Sequence, residues 1–303
     1  LKILAEACDS RVHPQSLTLT LLMSVVAFIQ ERPRAAALYA CFGIGCIVIY
    51  KTLQARATGQ YDYMLTLSAS MQSLAFALLV FDTKSSVAEG LSEKTLWAFF
   101  IAHVTRLSTT FWGAGYIPED NTSDVYLYQL LELSGVLLMA YQLLKLNTVR
   151  MIHDVGQGME RWNMLLGMIL VSVVLGWRTK STGHDDYFAD LSWMFSVWLE
   201  AFALGPQVWL LFSSNSNVDE SAMHFAGLTL VASLTFAFFW GRAWRDRFAE
   251  FQHAGEHGFF WAIGTACCIR VCLCGAYVWL FMRSARGAKG KGGEYELCAQ
   301  DEL

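Results

Sequence analysis

The residues of this chain best suited to chemistry are charges and histidines set inside oily runs. Arg106, Glu132, Glu200 and Arg270 each interrupt a long apolar stretch, while His103, His153, His184, His224, His253 and His257 are scattered along the chain. A guanidinium or carboxylate within a membrane helix is costly and marks a cavity, a ligand or an ion partner. For Arg106 two readings stand side by side: an anion-binding arginine, or a helix-tying salt bridge to Asp185, Glu132 or Glu200. Three are open for Glu132 and Arg270: pairing with each other, with a partner subunit, or with a bound cofactor. No Gly-x-Ser-x-Gly, phosphate loop, His-Glu-x-x-His or suitably spaced pair of carboxylates is present, so the chain is not expected to be an enzyme. The stretch "CCIRVCLC" lacks the two-pair spacing and the histidines of a zinc site. Its four cysteines, with Cys41 and Cys46, read as small polarisable helix residues. No cofactor is predicted. A bound lipid or pigment stays open, because a lone histidine or glutamate in a membrane helix can also ligate chlorophyll or haem.

The elements that must position these groups are membrane helices. Of 303 residues, 55% are hydrophobic and only 16% charged, and the mean hydropathy is positive, which excludes an ordinary soluble domain. The net charge of -4 offers no basic surface for nucleic acid. Nine stretches approach the roughly 17 to 25 apolar residues that cross a bilayer: 14–30, 35–50, 62–81, 94–115, 125–144, 162–177, 189–212, 221–240 and 258–282. Short connections make them a single all-α, polytopic transmembrane helical bundle. If all nine cross, eleven basic loop residues share the side of the C-terminus against nine opposite, a lean toward a cytosolic C-terminus. The chain opens on Leu1, which leaves any targeting segment unseen.

Two stretches carry a family resemblance. "GLSEKTLWAFFIAHVTRLSTTFW" and "GHDDYFADLSWMFSVWLEAFALGPQVWLLF" resemble the ER lumen protein-retaining receptors, the KDEL receptors. Gly90, Ser92, Lys94, Arg106 and Phe111 match in the first, and His184, Asp185, Asp190, Trp193, Phe195, Ser196, Leu199, Glu200, Pro206 and Gln207 in the second. Weaker echoes lie at His224, at "WRDRF" with Arg245, and at "CGAYVWLFMRSARG". The resemblance implies a seven-helix, PQ-loop/SWEET-like core over residues 61–287. Residues 1–60 then hold an added N-terminal helix pair, and 288–303 a polar C-terminal tail.

The resemblance further implies an ER/Golgi membrane protein that binds the C-terminal peptide of a luminal protein, with Arg106, Asp185, Asp190, Trp193, Glu200 and Arg245 the candidate ligand-binding residues. Most of the implied peptide clamp is replaced. The family's arginine and histidine of the first core helix fall at Met64 and Met71, and its next-helix tyrosine and aspartate at Leu107 and Thr109. Its pocket tyrosines fall at Ala232 and Phe236, its asparagine at Phe239 and its last-helix aspartate at Gly275. The alternative is a non-catalytic structural subunit of a larger membrane complex, in a plastid or mitochondrial membrane, with membrane lipid and other subunits as its partners. With a cytosolic C-terminus, the terminal "AQDEL" reads as a chance ending that no luminal receptor meets.

Overall fold

The computed structural model describes residues 23, 27–54, 62–81, 92–112, 122–153, 162–180, 187–213, 220–254 and 257–300, and every regular element among them is helical. The helices are α1 (Pro33–Gln54), α2 (Asp62–Phe81), α3 (Glu93–Trp112), α4 (Thr122–His153), α5 (Trp162–Thr179), α6 (Tyr187–Phe202), α7 (Gly205–Ser213), α8 (Glu220–Ala254) and α9 (His257–Gln300). Most of the first expected span, 14–30, lies outside the described residues, although 27–31 are helical and lead into α1. The polar end of the chain continues α9 as helix through Gln300.

Among the described residues, six segments are long and apolar enough to cross a membrane: Tyr63–Phe81, Tyr126–Leu146, Trp162–Thr179, Tyr187–Phe212, Met223–Arg245 and Gly258–Arg283. Helix α3 is not among them, because Glu93, Lys94, His103 and Arg106 dilute its apolar residues. It is nonetheless enclosed, with Leu96, Ala98, Phe99 and Ala102 fully buried. The described residues thus form an all-helical membrane bundle of six apolar spans and the more polar α3, with α1 in front; the apolar part of α1, Pro33–Val48, expected as a crossing, is shorter than the six spans.

Local chemistry sets the helix ends. Ser92 precedes α3 and its carbonyl accepts from Thr95 N at 3.1 Å and Leu96 N at 3.3 Å, opening the helix as an N-cap serine does. Its own backbone N–H is satisfied by Gln207 Oε1 at 2.6 Å. The stretch 189–212, expected as one helix, is broken at Ala203–Leu204. Pro206 has no N–H for the carbonyl four residues earlier, so the rod ends there and restarts as α7. The freed geometry aims Gln207 at the start of α3.

Helix α2 packs against α1, α4 and α8, while α3 packs against α4 and α6, and α9 against α6, α7 and α8. Helix α5 lies against α6 at Gly176, where an added Cβ would sit 3.0 Å from Phe195 N and 3.2 Å from its Cα. Helix α1 is tied on by a Tyr39–His224 Nδ1 hydrogen bond of 3.0 Å, with Phe28 against both rings. Besides a small cluster of Ala35, Leu74 and Leu78 where α1 meets α2, two larger apolar cores result. One gathers Leu65, Trp193, Phe236, Phe239, Trp240 and Ile263, and the other Phe76, Leu79, Phe99, Met139, Leu199 and Phe225.

Candidate functional site

The polar residues of the interior form a layer between those two cores. On α2, Gln72 falls between Ala69 of one core and Ala75 of the other, and on α9, Arg270 falls between Cys267 and Cys274 in the same way. At the centre stands Arg106, 4% exposed. Its Nη1 donates to Glu200 Oε2 at 2.5 Å and its Nε to Glu132 Oε1 at 3.0 Å. Arg270 Nη2 lies 2.8 Å from Glu200 Oε1 and donates to Gln72 Oε1 at 3.0 Å. Gln72 Nε2 passes the chain on to Thr229 Oγ1 at 3.3 Å. His103 Nδ1 lies 2.5 Å from Glu132 Oε2, and its Nε2 faces Glu200 Oε1 at 3.8 Å, beyond hydrogen-bonding distance. The ring of Phe236 closes one side, 5.9 Å from the Arg270 guanidinium.

This layer joins α2, α3, α4, α6, α8 and α9. Two guanidiniums and two carboxylates balance, which is the arrangement that lets charge persist in a low-dielectric interior. Beside them Gln72, Arg106, Glu200 and Arg270 line a cavity of about 10 Å³, room for about one water. Chemically the layer can orient a water or hold helices in register. It has no nucleophile paired with a base, and no group of three or more metal-ligating side chains occurs among the described residues.

The expected site residues are only partly brought together. Arg106 and Glu200 are in direct contact. Trp193 is fully buried two turns before Glu200 in the neighbouring apolar core, and Asp190 is buried in the first turn of α6. Arg245 is exposed on α8, nine residues beyond Phe236 and about 13 Å further along the helix. Asp185 lies outside the described residues. Of the three acids named as partners for Arg106, Glu132 and Glu200 fill the role. No described contact joins Glu132 to Arg270; the Arg106–Glu200 pair links them, Glu132 holding Arg106 and Arg270 holding Glu200. The sequence reading gave no role to Gln72 or Thr229 and placed His103 only among the scattered histidines; a glutamine in an apolar helix was the one available signal for the first.

The positions where the resemblance expected clamp residues have surroundings of their own. Leu107 is buried, Thr109 turns its hydroxyl back to the Arg106 carbonyl at 2.7 Å, and Met71 receives Thr235 Oγ1 at 3.9 Å. Ala232 is fully buried, with its carbonyl accepting from Ser68 Oγ at 2.8 Å.

A search of curated proteins finds no match to this chain. The family model described as ER lumen protein retaining receptor matches residues 87–242, from just before the serine cap of α3 through most of α8. That stretch contains Arg106, Glu132 and Glu200 and spans just over half of the chain. An all-helical membrane bundle with this match belongs to the ER lumen protein retaining receptor family, a family of generally non-catalytic receptors.

Proposed function

We propose that this chain is a divergent retention-receptor relative that keeps the seven-helix body over 61–287 but fills its interior anion site with its own carboxylates. It does not take up an ordinary Lys-Asp-Glu-Leu tail, and serves in ER and Golgi membranes as a non-catalytic structural subunit. One observation carries this reading: both interior guanidiniums, Arg106 and Arg270, are already met by Glu132 and Glu200. A retrieval tail brings a terminal carboxylate and two acidic side chains, and each needs a cation that is not already neutralised. Removing one charge partner from a desolvated peptide site costs about 2–5 kcal/mol. The resemblance removes several, at Met64, Met71, Leu107, Thr109 and Gly275. A cavity of about 10 Å³ is also far too small for a peptide side chain.

A second reading, a receptor for a C-terminal peptide of altered chemistry, is favoured by Arg106 and Glu200 standing at the family's positions. Calorimetry with a Lys-Asp-Glu-Leu peptide at about pH 5.5 to 6, where a histidine-switched receptor would load, separates the two. The structural reading expects no heat of binding. Micromolar binding that Arg106→Ala abolishes would restore the receptor. Location of the full-length protein divides the ER/Golgi assignment from a plastid or mitochondrial membrane, where co-purification with an organellar complex is the expected sign.

A further inference from the structure

The cavity of about 10 Å³ in the ionic layer has Ser68, Gln72, Arg106, Glu200 and Arg270 as its polar walls. Counting the hydrogen bonds of these groups leaves one donor over. Arg270 Nη2 serves Glu200 and Gln72, and both ends of the Gln72 amide are engaged, by Arg270 and Thr229. The Arg270 Nε–H is buried and has no hydrogen-bond partner among the described residues. A buried donor left in that condition is costly, so a partner for it is expected within reach.

Two groups lining the same cavity have acceptor capacity to spare. Ser68 Oγ gives its proton to the Ala232 carbonyl at 2.8 Å, which leaves its lone pairs open. Each Glu200 oxygen takes one guanidinium, Oε2 from Arg106 and Oε1 from Arg270, and a carboxylate accepts more than one bond at each oxygen. A guest that fits this set accepts one hydrogen bond and donates two. Charge narrows the choice: a cation would stand beside two guanidiniums and an anion beside the Glu200 carboxylate, so a neutral dipole is favoured. Size narrows it to water, because the cavity has room for about one water-sized sphere, and polar cavities of that size hold water where apolar ones stay dry.

We propose that this cavity is the site of one resident water, which accepts from the Arg270 Nε–H and donates to Ser68 Oγ and to the Glu200 carboxylate. Three hydrogen bonds are the usual complement of a buried water. The water ties α9 to α2 and α6 at the level of the ions, and its link to Ser68 lies about one turn from the Arg270–Gln72 bond. The site belongs to the ligand-free layer, so it stands or falls separately from whether the protein takes a peptide.

The test is X-ray radiolytic footprinting of the full chain in detergent, in which a brief pulse turns water into hydroxyl radical in place and mass spectrometry locates the oxygen added to neighbouring side chains. Tyr128 and Phe236 line the cavity yet are only 2% and 5% exposed. Phe99 and Phe225, fully buried in the other core, serve as the dry reference. The expected result is label on Tyr128 and Phe236 well above that on Phe99 and Phe225. Ala69→Val puts two methyl groups at the cavity wall and should return Tyr128 and Phe236 to the level of the reference pair. In the unaltered protein, Tyr128 and Phe236 labelled no more than Phe99 and Phe225 would overturn the proposal, and this comparison needs no variant. Label that survives Ala69→Val undiminished would overturn it as well, since the water would then lie elsewhere.

Discussion

Replacing Glu200 by Gln keeps the outline of the side chain and removes its charge. Two guanidiniums lean on this carboxylate, Arg106 at 2.5 Å and Arg270 at 2.8 Å, whereas Glu132 serves Arg106 and His103. With charge centres about 4 Å apart, each arginine contact is worth about 4 kcal/mol at an effective dielectric constant near 20. An amide is cheaper to bury than a carboxylate, and repulsion between Glu200 and Glu132 disappears, so these gains offset part of the loss. The net cost is about 4–5 kcal/mol for Glu200→Gln against about 3 kcal/mol for Glu132→Gln, within the range for breaking a buried pair from one side. At about 2 °C per kcal/mol for a chain of this size, the melting temperature in detergent should fall by about 8–10 °C and about 6 °C. Adding Arg270→Met to Glu200→Gln removes the stranded cation, and the double variant should melt about 3 °C or more above Glu200→Gln alone. A Glu200→Gln protein that melts within about 1 °C of the parent would refute the neutral-layer argument. So would a double variant less stable than the single one.

Gly176→Ala should destabilise by about 1–3 kcal/mol, because its Cβ would meet the backbone of Phe195, which cannot swing aside; Gly167→Ala, with nothing within 4 Å, is the control that should not. Gln207→Leu leaves the buried Ser92 N–H without its acceptor and should cost about 1–3 kcal/mol in the same melting assay. Deleting residues 1–51 should leave the seven-helix body folded and monodisperse on gel filtration, while weakening its association with a larger complex; aggregation of the truncated body would show that α1 is part of the core.

Six of the nine oily runs, their order and an acidic partner for Arg106 were legible in the sequence, because length, polarity and the cost of an unpaired membrane charge are local facts. Which acid would meet Arg106 was not legible. Glu132 and Glu200 lie 26 and 94 residues away, and the packing of α3 against α4 and α6 is what brings them to Arg106. Arg270 looked unexplained for the same reason, since its partners Gln72 and Glu200 come from two other helices. The break before Gly205 could be read from Pro206, but the use of Gln207 as acceptor for Ser92 needs the bundle. Arg245 shows the converse limit: a matching motif position falls on an exposed face, at the membrane boundary and away from the ionic layer.

The polarity of α3 bears on how the protein reaches the membrane. An arginine near the middle of a segment adds about 2.5–3.5 kcal/mol to its insertion, so α3 is a poor candidate to partition into lipid alone and must be carried in with its neighbours. Glu132, on the next helix to be made, pairs with Arg106 and neutralises it. Once α6 has followed, Glu200 shares Arg106 with Glu132, and a second guanidinium reaches it only when Arg270 arrives on α9. A chain that carries α6 but not α9 therefore lacks the second cation of the layer, and the last helix to emerge is the one that completes its charge balance.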